Sequence, residues 1–152
     1  MNDTRDGGSK YRLLVPIDTN ERDALAQARY AGSLPHASES VLVTLTHVLH
    51  GRELDTPREL RSAQRVGAVQ TAREWLTEHD IESEIRDVEF PYPPRDGILA
   101  LADKIDADAI VLSGRKRSAI DSVLFGSVVQ TIVENTVRPV VVVDPDSVSD
   151  GV

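Results

Sequence analysis

The chain has 152 residues, 40% hydrophobic and 28% charged, with no cysteine. That suits one domain whose core needs no staples, and it excludes a disulfide scaffold, a thiolate metal site and a cysteine nucleophile. Twenty-five acids against 17 bases give a net charge of −8, which argues against sequence-independent binding to nucleic acid.

The first residues, MNDTRDGGSK, are polar and carry no signal-peptide core. Residues 1–9 and 146–152 read as loose tails around one domain at 10–145. Leu13-Leu14-Val15-Pro16-Ile17 is a strand whose unbroken apolarity implies burial on both faces. Asn20 is placed to cap the first helix, with Asp23 in its first turn and Ala24, Ala28 and Ala31 on one face. Val41-Leu42-Val43-Thr44-Leu45 is the second buried strand, ending near His47-Val48.

Thr56-Pro57-Arg58-Glu59 combines a capping box with proline at the first helical position. Leu60, Ala63, Val66, Val69, Ala72 and Leu76 then extend an amphipathic helix over about six turns. Ile81, Ser83 and Ile85 alternate with Glu82, Glu84 and Arg86, the pattern of an edge strand. Asp96 is placed to cap a third helix carrying Ile98, Leu99, Ala102 and Ile105, and Ala109-Ile110-Val111-Leu112 is the fourth strand. Val128, Val129, Ile132 and Val133 mark a fourth helix, which Pro139 stops before the strand Val140-Val141-Val142-Val143. Alternation of strands with helical crossovers predicts a single doubly wound α/β domain: a five-stranded, mostly parallel sheet with helices on both faces.

Ligands of such sheets bind beyond the carboxyl ends of the strands. After the first strand stands Asp18-Thr19-Asn20-Glu21, which matches neither GxGxxG nor the Walker loop. It also differs from the hydroxyl-rich phosphate loop of a flavodoxin. The third strand leads to Phe90-Pro91, where a phosphoacceptor receiver would end in aspartate, and no GxSxG elbow of a hydrolase occurs. Two other segments stand out: Ser113-Gly114-Arg115-Lys116-Arg117-Ser118, and Phe125-Gly126-Ser127-Val128 at the start of the fourth helix. A glycine closing a strand, three cations and a helix N-terminus suit an anion or phosphate cradle. A solvated loop followed by a serine N-cap accounts for the same spacing.

Taken together, Val15-Pro16-Ile17-Asp18, His47-Val48, Gly114 with Gly126-Ser127, and Arg138-Pro139 before four valines resemble the universal stress protein family from about residue 10 to 144. The resemblance implies a Rossmann-like fold of the adenine-nucleotide alpha-hydrolase type, strand order 3-2-1-4-5. It further implies binding of ATP, with or without magnesium, through Pro16, Asp18 and Val48 at the adenine–ribose end. Gly114, Gly126 and Ser127 would hold ribose and phosphates. The family's second loop glycine is replaced by Arg117, so Arg115 or Arg117 would bind phosphate in its place. The segment SGRKRSAIDSVLFGSV looks like the form in salt-loving archaea. Three lysines against 14 arginines, and 15 aspartates against 10 glutamates, fit either a salt-rich cytoplasm or an ordinary acidic protein.

His47 and His50 read as strand-end residues rather than a metal site, and Tyr30 and Trp75 as packing. No nucleophile with its base is apparent, so the expected activity is regulatory binding of an adenine nucleotide, not catalysis. The alternative is a nucleotide-free, dimeric interaction module; a slow ATP hydrolase ranks third. A homodimer through Val140, Val141, Val142 and Val143 is expected, with no nucleic acid and no membrane as partner.

Overall fold

The computed structural model describes residues 9–47, 62–88, 94–114 and 126–146. Five parallel strands form one sheet: β1 (Tyr11–Pro16), β2 (Val41–Thr46), β3 (Glu82–Ile85), β4 (Ala109–Ser113) and β5 (Val140–Val143). Their spatial order is β3-β2-β1-β4-β5, as expected. Thus β1 lies at the centre, where the chain first winds to one side and then to the other. It pairs with β2 at six positions, Tyr11 with Val41 through Pro16 with Thr46. With β4 it pairs at two, Leu13 with Ala109 and Leu14 with Ile110.

The two-residue period of β1 sends Leu13 and Val15 into one core and Leu14 into another. The first core joins Val43, Leu45 and Val111 to α1 (Glu21–Gly32) and α3 (Gly67–Glu78). The second joins Ile110 and Leu112 to α4 (Pro94–Ile105) and α5 (Ser127–Asn135). Burial of both faces explains why β1, β2 and β4 are nearly continuous apolar runs. In α1, Ala24, Ala28 and Ala31 are fully buried, so the helix packs closely on the sheet. Asn20 caps it as expected, its side chain accepting the Asp23 amide at 3.0 Å.

The expected six-turn helix is not continuous. Residues 56–61 lie outside the described residues. Beyond them, Ser62 caps a single 3-10 turn, Ala63–Arg65; Val66 is extended, and α3 begins at Gly67. The apolar spacing carries across the break because Ala63 and Val69 are both buried. Asp96 is not a cap, because α4 begins at Pro94 and Asp96 sits in its first turn. A short helix, α2 (Ala37–Ser40), follows His36 in the left-handed region at φ 56° and has no counterpart in the expected elements. Trp75 is packed against the first core, stacked on His79 at a 3.8 Å centroid distance, and Tyr30 packs there too. The expected tails lie outside the described residues except for Ser9 and Asp146.

Candidate functional site

The carboxyl ends of β1 and β4 part after their two paired positions, although β1 continues to Pro16 and β4 to Ser113. This is the topological switch point, where the sheet opens a crevice. Pro16 forms one wall, half-buried at the end of β1. Ile17 turns back toward β2, its amide donating to Thr46 O at 2.7 Å. His47 is buried with Nδ1 2.7 Å from Ile17 O, so it braces the β1–β2 corner. Asp18 is exposed at the rim, and its Oδ1 accepts the Thr19 amide at 2.8 Å.

The opposite wall is β4. Gly114 follows it, but its amide already donates to Val143 O at 3.0 Å and so extends the sheet. What Gly114 offers a ligand is therefore the missing side chain, not a free N–H. Gly126 is the N-cap of α5, with φ −63° and ψ 164°, and as a glycine it brings no capping side chain of its own. Ser127 is the first helical residue, so the serine N-cap weighed from the sequence is displaced by one position. A Cβ built on Gly126 meets nothing within 4 Å among the described residues. A helix start whose N-cap is a glycine, with no described residue close to where a Cβ would stand, is suited to an anion. Val48, Arg115, Arg117 and the Ser127 side chain lie outside what the structure describes.

Three residues at this end had no sequence signal as site residues. Asp23 is 7% exposed, and Oδ2 faces the Ser113 hydroxyl at 3.4 Å. Gln27, one turn further along α1, donates from Nε2 to Pro16 O at 2.8 Å and Val111 O at 2.9 Å. Thr46 is fully buried, and its Oγ1 has no hydrogen-bond partner among the described residues. A polar pair four residues apart on α1, aimed at the strand ends, is the pattern that would have marked the first two. Among the described residues no group of three or more His, Asp or Glu side chains is placed to hold a metal ion. No helix among them is long and apolar enough to cross a membrane.

No curated protein matches the chain by sequence. Among solved structures, a universal stress protein from Archaeoglobus fulgidus is 28% identical, with 87% of this chain and 97% of that one covered and a TM-score of 0.65. A structure of the universal stress protein from the same organism in complex with dAMP is 26% identical, covering 87% and 96% at a TM-score of 0.64. A family protein from Arabidopsis thaliana with AMP bound shares the fold at 17% identity, covering 91% and 96%, TM-score 0.55. The model of the universal stress protein family matches residues 11–144, from the first residue of β1 to just past β5. The chain belongs to the universal stress protein family.

Proposed function

We propose that this chain is a regulatory stress-response protein that binds ATP or a related adenine nucleotide in the crevice between β1 and β4. The observation that carries the proposal is the early end of the β1–β4 ladder at the topological switch point, with a glycine N-cap opening α5. The dAMP complex of the Archaeoglobus fulgidus relative supports adenine as the base. Pro16, Asp18 and Val48 would form the adenine–ribose end, and Gly114, Gly126 and Ser127 the phosphate end. Arg115 and Arg117 would supply the phosphate charge that a glycine loop leaves to backbone amides. Any magnesium would arrive with the phosphates, held by their oxygens more than by protein. The output is binding rather than turnover.

The test is the mass of any small molecule released on denaturing the native protein, followed by titration calorimetry with AMP and ATP, with and without magnesium. Retained adenine nucleotide or a saturable heat supports the reading. Neither signal in molar salt removes it, leaving a dimeric interaction module.

Assembly and setting are proposed with it. The chain works in the cytoplasm as a homodimer through β5, where Val140, Val141 and Val142 are only half-buried on an edge strand. An apolar edge invites pairing, and a two-fold mate would satisfy its open hydrogen-bond row. Val142→Pro should weaken assembly, read as a shift toward monomer in sedimentation; a wild-type monomer at micromolar concentration in high salt refutes the dimer. The net charge of −8 suits a salt-rich interior. Melting temperature should then rise from dilute buffer to molar potassium chloride as self-repulsion is screened, and a flat response removes that setting.

A further inference from the structure

Pro16 breaks the ladder between β1 and β4 at one definite place. Continuing the parallel register beyond Leu14 and Ile110 would bring the amide of residue 16 to the carbonyl of Val111. Proline has no amide hydrogen, so that bond cannot form. Two carbonyls are left at the parting of the strands, Pro16 O and Val111 O. One side chain takes both: Gln27 Nε2 lies 2.8 Å from the first and 2.9 Å from the second. A primary amide has two N–H donors, and this geometry uses one on each strand.

Gln27 is 1% exposed, within a helix whose neighbouring buried positions are mostly alanine. Burying an amide there is unfavourable unless its hydrogen bonds are made. Its place is therefore explained by the carbonyls that Pro16 leaves without a ladder donor. Asp23, one turn earlier, ties the same helix to the last residue of β4 through the Ser113 hydroxyl at 3.4 Å. Both contacts come from α1, so the helix spans the opening and connects to each side of it.

We infer that Gln27 is a positioning residue of the crevice: by bonding Pro16 and Val111 together it sets the separation of β1 and β4 where the nucleotide enters. The inference rests on the proposal that an adenine nucleotide binds there. An apolar side chain of the same length leaves both carbonyls without a donor, and the strand ends lose the bridge that fixes their spacing. Ligand affinity then falls even though Gln27 does not touch the ligand.

AMP titration calorimetry on the full chain tests this with Gln27→Met, which keeps length but no donor, and Gln27→Asn, one methylene too short to span both carbonyls. Arg138→Met, at the other end of the sheet, is the control for lost stability. Expected are an AMP affinity at least about tenfold weaker in Gln27→Met, a smaller loss in Gln27→Asn, and none in Arg138→Met. The Asn variant keeps the test available if the Met variant fails to fold. Wild-type affinity in either folded Gln27 variant overturns the inference. So does an equal loss in Arg138→Met, which would mean that affinity merely follows stability. If the wild type binds no AMP, the nucleotide proposal itself fails and the inference falls with it, a result distinct from the other two.

Discussion

At the amino ends of the strands, long side chains latch the elements together; at the carboxyl ends, β1 and β4 part and buried polar side chains gather. Arg12 donates from Nη1 to Ile105 O at 3.0 Å, and its amide donates to Asp108 Oδ2 at 2.8 Å. The Asp108 amide returns a bond to Arg12 O at 2.8 Å. Arg138 reaches Ala107 O from Nε at 2.7 Å and Asp103 Oδ1 from Nη1 at 2.6 Å. Opposite them are the Pro16 gap, the buried Gln27 and Asp23, the Thr46 hydroxyl with no partner among the described residues, and the glycine N-cap of α5. Among the described residues, arginines tie elements together at one end of the sheet, and buried polar side chains gather at the other. That division is what a binding domain needs, because a site open to ligand cannot also be the place that closes the fold.

The largest expected effect lies at the latched end. Arg138→Met removes a charged donor from the Ala107 carbonyl and from Asp103, with the arginine side chain only 19% exposed. A hydrogen bond from a charged group is worth about 1.5–3 kcal/mol, and the carbonyl left behind adds to the loss. Asp103, at 76% side-chain exposure, contributes little of it. Urea unfolding should show about 3 kcal/mol less stability, with AMP affinity unchanged in the protein that remains folded. A parallel loss of affinity would mean that affinity merely follows stability, and that the two ends of the sheet do not divide these tasks.

Gly126→Val acts at the open end and should reverse the pattern. Its Cβ meets nothing within 4 Å among the described residues, and a poorer residue at the helix start costs about 1 kcal/mol. The side chain would instead occupy the proposed phosphate path. Affinity should fall about a hundredfold, equivalent to about 2.7 kcal/mol, against about tenfold for Asp18→Ala, which loses one hydrogen bond. Calorimetry with ATP separates the two. Wild-type affinity in both variants would place the nucleotide elsewhere.

The same division explains what the sequence disclosed. The central strands were legible because burial on both faces demands unbroken apolar runs such as Leu13 to Val15. Alanine at 24, 28 and 31 marked the buried face of α1, and Pro139 marked the stop before β5. The break at Val66 was hidden because Ala63 and Val69 keep the apolar spacing on both sides of it. At the site, glycines and the strand-end Pro-x-Asp were visible as motifs. Gln27 was not, because a single glutamine in a helix has no periodic signature; its meaning depends on Val111, 84 residues away. Gly114 was legible as a strand-closing residue without a Cβ, and the register of β4 with β5 adds that its amide is already in use.

The smallest expected effect has the opposite sign. Thr44 and Thr46 stand two residues apart on β2, hence on the same face, and both are buried. Thr44 Oγ1 donates to Glu84 Oε2 at 2.8 Å, a bond across to β3. Thr46 Oγ1 has no partner among the described residues. Valine replaces threonine with almost the same shape but without the hydroxyl, so the two substitutions read the two hydroxyls directly. Thr44→Val should cost about 1 kcal/mol, the net worth of a hydrogen bond, with Glu84 left to solvent. Thr46→Val should stabilise the protein by about 1 kcal/mol, because a buried hydroxyl without a bond is destabilising. Thermal unfolding of both variants in the same salt decides the matter. If Thr46→Val destabilises as Thr44→Val does, the Thr46 hydroxyl is bonded in solution, and the carboxyl end of the sheet holds its polar groups as firmly as the amino end.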